Sequence, residues 1–230
     1  MEEPIKKLYG KFGVNLRNVK KVVYGDKYTA VVLKNGNIGL CANLNNRINI
    51  RLTDLESPDF NSFEHRIVLN AYYNAEFNNL NKYDKILDIF DGIDFTKYNN
   101  LVMIGYFKPL LKKFKKNNIK ISIFDLFDRD EIIVPMEKQS EYVKKADAII
   151  LTSTSIFNNT FLDIVNNTSN CDIFLLGPSS IMHPEMLDYK NVKAIFGSVF
   201  EKNDEKVLNI IKDGFGTQYF LPYGKKVSLQ

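Results

Sequence analysis

The sequence predicts an α/β fold: a Rossmann-like, doubly wound parallel sheet in the carboxyl-terminal part, preceded by a small α+β domain with an antiparallel meander. Three observations carry this. From residue 100 onward, short apolar runs without alternation repeat with helix-like segments between them, as strands covered on both faces require. Before residue 80, three short strand-like runs are separated by Gly25-Asp26 and Asn35-Gly36, and Asn-Gly is the strongest short hairpin signal. Two polar loops, 152–160 and 177–180, each follow an apolar run. In an open parallel sheet such loops lie side by side at the strands' carboxyl ends, where ligands bind.

The elements follow in order. Pro4 suits the start of an opening helix over 3–12. Strands are expected over 19–24, 28–33 and 37–42. A helix over 62–77 places Phe63, Ile67, Ala71 and Ala75 along one face, with Asn61 and Glu64 as a capping box. A linker over 91–100 leads into strands over 101–105, 120–125, 148–151, 173–177 and 192–196. Helices are expected over 108–117, 137–145, 161–166, 183–189 and 203–212, with right-handed crossovers. The division is 1–80 for the front domain and 81–230 for the Rossmann-like one.

Composition narrows the classes. The 230 residues are 45% hydrophobic and 25% charged, which are ordinary globular values. The net charge of +4 is spread among acids, whereas nucleic-acid binding needs a concentrated basic face; no nucleic-acid partner is expected. The run Lys112-Lys113-Phe114-Lys115-Lys116 closes an expected helix, where its charges meet the negative end of the dipole; a phosphate-binding role is the alternative. Neither a signal peptide nor an apolar run long enough for a bilayer is visible, so no membrane partner and a cytoplasmic location are expected. Cys41 and Cys171 sit in apolar runs and read as buried free thiols. Two-fold association is expected on base rates alone.

Gly105 ends one expected strand and Asp125 ends the next. A glycine turn followed at that distance by an acid is the dinucleotide arrangement. Tyr106, Phe107, Lys108 and Pro109 supply none of the further glycines, so ordinary NAD binding is not expected; a nucleoside such as S-adenosylmethionine stays open. The hydroxyls of Thr152 and Thr154 and the amide of Asn158 precede a helix start and are candidate ligand contacts. Asn159 and Thr160 serve either as caps or as contacts. Gly177 lets a ligand approach backbone, Pro178 fixes the turn, and Ser179 adds a hydroxyl. A nucleophilic Ser179 would need His183 as its base, a spacing more typical of a loop and a cap. Gly214 and Gly216 end the last helix or form a ligand loop.

Metal ligation by this chain alone looks poor. Cys41, His65, Cys171 and His183 lack zinc-ligand spacing. Asp125, Asp128, Asp130 and Glu131 form either a hard-cation site or a solvated loop. Soft heavy metals prefer thiolate and imidazole. A metal is therefore expected to arrive held by a small chelator, or to be shared between the halves.

Taken in order, Val102-Met103-Ile104-Gly105-Tyr106-Phe107-Lys108-Pro109, Ala146-Asp147, the loop 152–160, Gly177-Pro178-Ser179 and Gly216-Thr217 resemble the family of unknown function labelled "putative heavy-metal chelation". Val22-Val23-Tyr24-Gly25, Tyr28-Thr29-Ala30-Val31, Ile38-Gly39-Leu40 and Leu69-Asn70-Ala71 resemble its companion domain, which is enolase-N-terminal-like. Tyr106 to Pro109 and Ser153 depart from the family's common pattern. The resemblance implies a ligand site between the halves, built from the sheet tips, Phe107 included, and from the helix bearing Asn70. The expected function is binding of a small polar or metal-chelate ligand in that cleft, with a divalent metal or metal chelate as the bound group and a role in heavy-metal chelation or handling. The alternatives are a transferase using an S-adenosylmethionine-like nucleoside at the same switch point, and a scaffold whose loops serve packing only. The residues leave open whether a bond is made or broken.

Overall fold

A computed structural model describes residues 1–80, 83, 88–127 and 130–230. Helix α1 (Pro4–Phe12) opens the chain, with Pro4 in its first turn and Glu3 as its cap. Strands β1 (Val19–Tyr24), β2 (Tyr28–Leu33) and β3 (Ile38–Ala42) form an antiparallel sheet in the order β1-β2-β3. The hairpin expected at Asn35-Gly36 joins β2 to β3: Gly36 has φ +90° and donates to Leu33 O at 2.9 Å. Helix α2 (Phe63–Phe77) follows. Its cap is Ser62, whose hydroxyl accepts from His65 N; Asn61 lies outside the helix, and Glu64 instead accepts from Asn49 N.

Next come α3 (Ile89–Gly92), β4 (Leu101–Ile104), α4 (Lys108–Lys116), β5 (Ser122–Phe124) and α5 (Gln139–Lys145). Then follow β6 (Ala148–Thr152), α6 (Thr154–Phe157), α7 (Phe161–Asn166), β7 (Asp172–Leu176), β8 (Val192–Phe200), α8 (Glu205–Lys212), α9 (Thr217–Phe220) and β9 (Gly224–Leu229). The second sheet runs β5-β4-β6-β7-β8-β9. All its pairs are parallel except β8 with β9. The chain is thus mixed α/β, as the sequence predicts. The order reverses between β4 and β6, which makes that crevice the switch point of the sheet.

Several boundaries differ from expectation. Only a 3₁₀ turn, Pro184–Met186, stands where a helix over 183–189 is expected. The linker over 91–100 contains the end of α3 and a 3₁₀ turn, Phe95–Lys97. Strand β9 has no counterpart among the expected elements, because its run Gly-Lys-Lys-Val-Ser-Leu buries Val227 alone and lacks an apolar run. The boundary between 1–80 and 81–230 falls on residues outside those described.

Helix α2 is buried almost all round. One continuous core joins its Ile67, Val68, Ala71, Tyr73 and Ala75 to Val31 and Cys41 of the front sheet and to Ile149, Leu151, Leu175 and Ile195 of the back sheet. The other face of the front sheet packs on α8 through Val32, Leu40, Val207 and Ile211. The far face of the back sheet packs on α4 through Met103, Ile150, Leu110 and Phe114. At Gly39 the backbones of β3 and α2 nearly touch: a Cβ there would lie 2.1 Å from Ala75 N and 2.2 Å from Ala71 O.

Outside the core, Glu185 ties α1 to the back of the molecule. Lys7 Nζ lies 2.7 Å from its carboxylate, and Lys11 also pairs with it. The two lysines hold the Glu185 carboxyl down at about 2, against an ordinary 4.5. A carboxyl depressed in the folded state stabilises above its unfolded pKa, and that stabilisation fades as pH falls from 4.5 through about 2. Glu185→Gln should therefore flatten the stability profile across that window while leaving the neutral region nearly unchanged. Urea midpoints measured from pH 2 to 7 check this; parallel wild-type and variant curves would refute it.

Candidate functional site

A cavity of about 290 Å³ opens at the carboxyl ends of β4, β5, β6 and β7, at the lower end of small-ligand pockets. Nine of the ten sequence-expected residues line it: Gly105, Phe107, Asp125, Thr152, Thr154, Asn158, Gly177, Pro178 and Ser179. The front part adds Tyr28 and Leu44, and the end of the chain adds Thr217. Gly105 and Gly177 both have positive φ, +101° and +135°. A Cβ at Gly177 would meet nothing within 4 Å, so this backbone borders open space, as close approach of a ligand requires.

The tenth residue, Asn70, is fully buried and is not part of the lining. Its Nδ2 donates to Ser179 O at 3.0 Å. Two further asparagines repeat this along α2 and just past its end. Asn74 Nδ2 donates to Pro178 O and Leu40 O, both at 2.9 Å. Asn78 Nδ2 donates to Ser180 O at 2.9 Å and to Asn74 Oδ1, and its Oδ1 accepts from Met182 N at 2.9 Å. One turn earlier on the same helix, buried Arg66 donates from Nε to Phe157 O at 2.5 Å and from one terminal nitrogen to Ile156 O at 2.7 Å. These carbonyls end α6, where no intrahelical donor remains. The same nitrogen pairs with Glu3 at 2.5 Å.

Arg66, Asn70, Asn74 and Asn78 are spaced by four, so they share one side of α2. That side fastens the tips of β6 and β7 to the front sheet. Of these four, Asn70 alone is expected at the site from the sequence. The signal for the others is the four-residue repeat of guanidinium and amide groups at Arg66, Asn70, Asn74 and Asn78 in a mostly apolar stretch, where Asn is a poor helix former.

The remaining polar groups serve the tips themselves. Asp125 Oδ2 accepts from Tyr106 N at 2.9 Å, and its Oδ1 accepts from Phe127 N at 2.8 Å. Its carboxylate therefore shapes the first two loops, where a dinucleotide site would present it to ribose. Asp130 accepts the Tyr106 hydroxyl, which holds its carboxyl below the usual value. Asp128 lies outside the described residues. The hydroxyls of Thr152 and Thr154 are 3.1 Å apart, and Asn158 Oδ1 accepts from Thr160 N and from its hydroxyl. Ser179 Oγ accepts from Ala42 N at 3.0 Å. His183 caps its own turn through Nδ1 and packs its ring on Phe77 at 4.5 Å, and no Ser179–His183 contact is seen.

The donor set bears on metal. Cys41 and Cys171 are buried, and burial pushes both thiols up, Cys171 to about 12. Cys41 lies against Asn70 and Ser179, behind the cavity wall. No His or Cys lines the cavity, and among the described residues no group of three His, Cys, Asp or Glu could hold an ion. These residues do not fit a soft heavy metal held by protein ligands alone.

The family described as "Putative heavy-metal chelation", DUF364, matches residues 88–230, and the chain belongs to it. Two crystal structures of DUF364 proteins of unknown function share the fold. The one from Pyrococcus horikoshii has a TM-score of 0.79 at 20% identity, covering 98% of this chain and 97% of its own. The one from Desulfitobacterium hafniense has a TM-score of 0.75 at 18% identity, covering 98% of each. No curated protein matches the chain. Among the described residues, no helix is long and apolar enough to cross a membrane.

Proposed function

We propose that this member of the DUF364 family binds a compact polar molecule, or a metal ion already held by a small chelator, in the cavity at the tips of β4 to β7. The observation that supports this best is the convergence of four loops on one cavity whose described polar side chains are hydroxyls, amides and one carboxylate. Such groups orient the oxygen and nitrogen atoms of an organic ligand and leave soft-metal coordination to that ligand. Arg66 and the three asparagines pre-position the loops, so that little ordering is left to be offset on binding. The S-adenosylmethionine reading gains no specific support, since both Asp125 carboxylate oxygens are engaged by backbone N–H groups.

A thermal-shift screen with free Ni²⁺ and Co²⁺, with chelators alone, with their complexes and with polar metabolites tests the proposal. A true ligand at one hundred times its dissociation constant should add about 2.7 kcal/mol of stability. Thr154→Val should weaken the responding ligand by roughly three- to tenfold, the worth of one hydrogen bond, and leave the unliganded melting point in place. Tight stoichiometric binding of the free ions, or a ligand response indifferent to Thr154, would count against it.

A further inference from the structure

We propose that Tyr28, the first residue of β2, is a ligand contact of this cavity. With Asn158 and Thr217 it selects a molecule that presents oxygen acceptors, as carboxylate or carbonyl groups; the inference rests on the cavity being the binding site. Unused hydrogen-bonding capacity in the wall carries it. All three residues line the cavity. Among the described residues, nothing pairs with the Tyr28 hydroxyl, the Asn158 Nδ2 or the Thr217 hydroxyl.

What is left over is mainly donors. Thr160 donates to Asn158 Oδ1 twice, from its N–H at 3.1 Å and from its hydroxyl at 2.7 Å. That fixes the amide oxygen and leaves both N–H bonds of Nδ2 unused; this nitrogen donates only, so it requires a lone pair from whatever it meets. Burial pushes the Tyr28 phenol above its ordinary 10, so at neutral pH it keeps its proton and donates. The Thr152 and Thr154 hydroxyls share one contact at 3.1 Å, which uses one proton and leaves the other.

Tyr28 is seated by the fold without its hydroxyl. Its backbone pairs with Ala42 in the front sheet, and Ala42 N donates to Ser179 Oγ at 3.0 Å, so the start of β2 lies beside the loop 177–180. Its ring meets buried Phe220 edge-on at 4.9 Å, in the helix that begins with Thr217. Packing therefore places the ring, and the hydroxyl adds no bond to the fold. Tyrosine hydroxyls enclosed by protein ordinarily find a partner; here the cavity is where one enters. The front sheet thus shares in the site through Tyr28, although Asn70 does not line it.

Isothermal titration of the full chain tests this with citrate, its uncharged trimethyl ester, tris(oxalato)cobaltate(III) and hexaamminecobalt(III). The first three present oxygen acceptors and the last only N–H donors. Citrate or its ester should bind if the source is an organic molecule, and the oxalato complex if it is a metal chelate; hexaamminecobalt(III) should not bind. Tyr28→Phe removes only the hydroxyl. It should weaken the binding probe by about three- to tenfold, the worth of one hydrogen bond, and leave the melting point of the free protein in place. Asn158→Asp keeps the oxygen that Thr160 uses but exchanges the donor for an acceptor, and it should weaken the probe at least as much. Preference for hexaamminecobalt(III), an affinity indifferent to Tyr28→Phe, or a lowered melting point in that variant would overturn the inference. So would silence from all three oxygen-bearing probes while other compounds in the thermal-shift screen respond. Failure of the binding-site proposal itself looks different: no compound in that screen would respond.

Discussion

Arg66→Met should cost about 3–5 kcal/mol of folding stability, the usual penalty for breaking a buried ion pair from one side. The guanidinium is 0% exposed and satisfies Phe157 O, Ile156 O and the Glu3 carboxylate at once. Methionine matches its length and apolar stem but offers no donors. Two buried helix-end carbonyls would then lack partners, and Glu3 would lose its counter-charge. Urea unfolding of the two proteins measures the loss, and Arg66→Lys should fall between them, since an ammonium cannot reproduce the planar fork. The effect should extend to the cavity, because the carbonyls held by Arg66 lie within the segment that carries Thr152, Thr154 and Asn158. A loss below about 1 kcal/mol would mean that water replaces the guanidinium at little cost.

Gly39→Ala should be comparably damaging for a different reason. Its new methyl would sit 2.1 Å from Ala75 N and 2.2 Å from Ala71 O, and both are helix backbone with no rotamer to escape into. Helix α2 must lift off β3, at an expected cost on the order of 3 kcal/mol or more. Lifting α2 also strains the asparagines that hold 178–180. Amide exchange at Met182, whose N–H is held by Asn78 Oδ1, should therefore accelerate more than global unfolding explains. Gly10→Ala in α1 is the control. A Cβ there meets nothing within 4 Å, and the exchange should gain about 0.5–1 kcal/mol. Equal effects of the two substitutions would show that α2 is not seated on β3 as described.

Much of the fold was legible because its signals are local. Strands β1 to β4 and β6 to β8 are short apolar runs bounded by turn residues, and a strand's period and a turn's chemistry are written within about ten residues. Gly36 and Pro4 sit where their backbone preferences put them. Strand β9 was not legible: an edge strand carrying Lys225 and Lys226 buries too little to leave a pattern. The expected helix over 183–189 shrinks to a turn because His183 and Met186 are held by contacts to Phe77 and the core rather than by helix bonds.

The same split governs the site. Gly105, Thr152, Thr154 and Gly177 could be placed at strand tips from the sequence by itself, since any parallel strand delivers its following loop to the same edge of the sheet. What only the tertiary structure decided is the part played by α2. A helix buried on nearly every side does not reveal from its sequence which way its polar groups face. Arg66, Asn70, Asn74 and Asn78 turn inward because the carbonyls they satisfy, at 156–157 and 178–180, reach them only after the chain has folded back. Those pairings span some ninety to one hundred and ten residues, a distance at which no local pattern reports a partner.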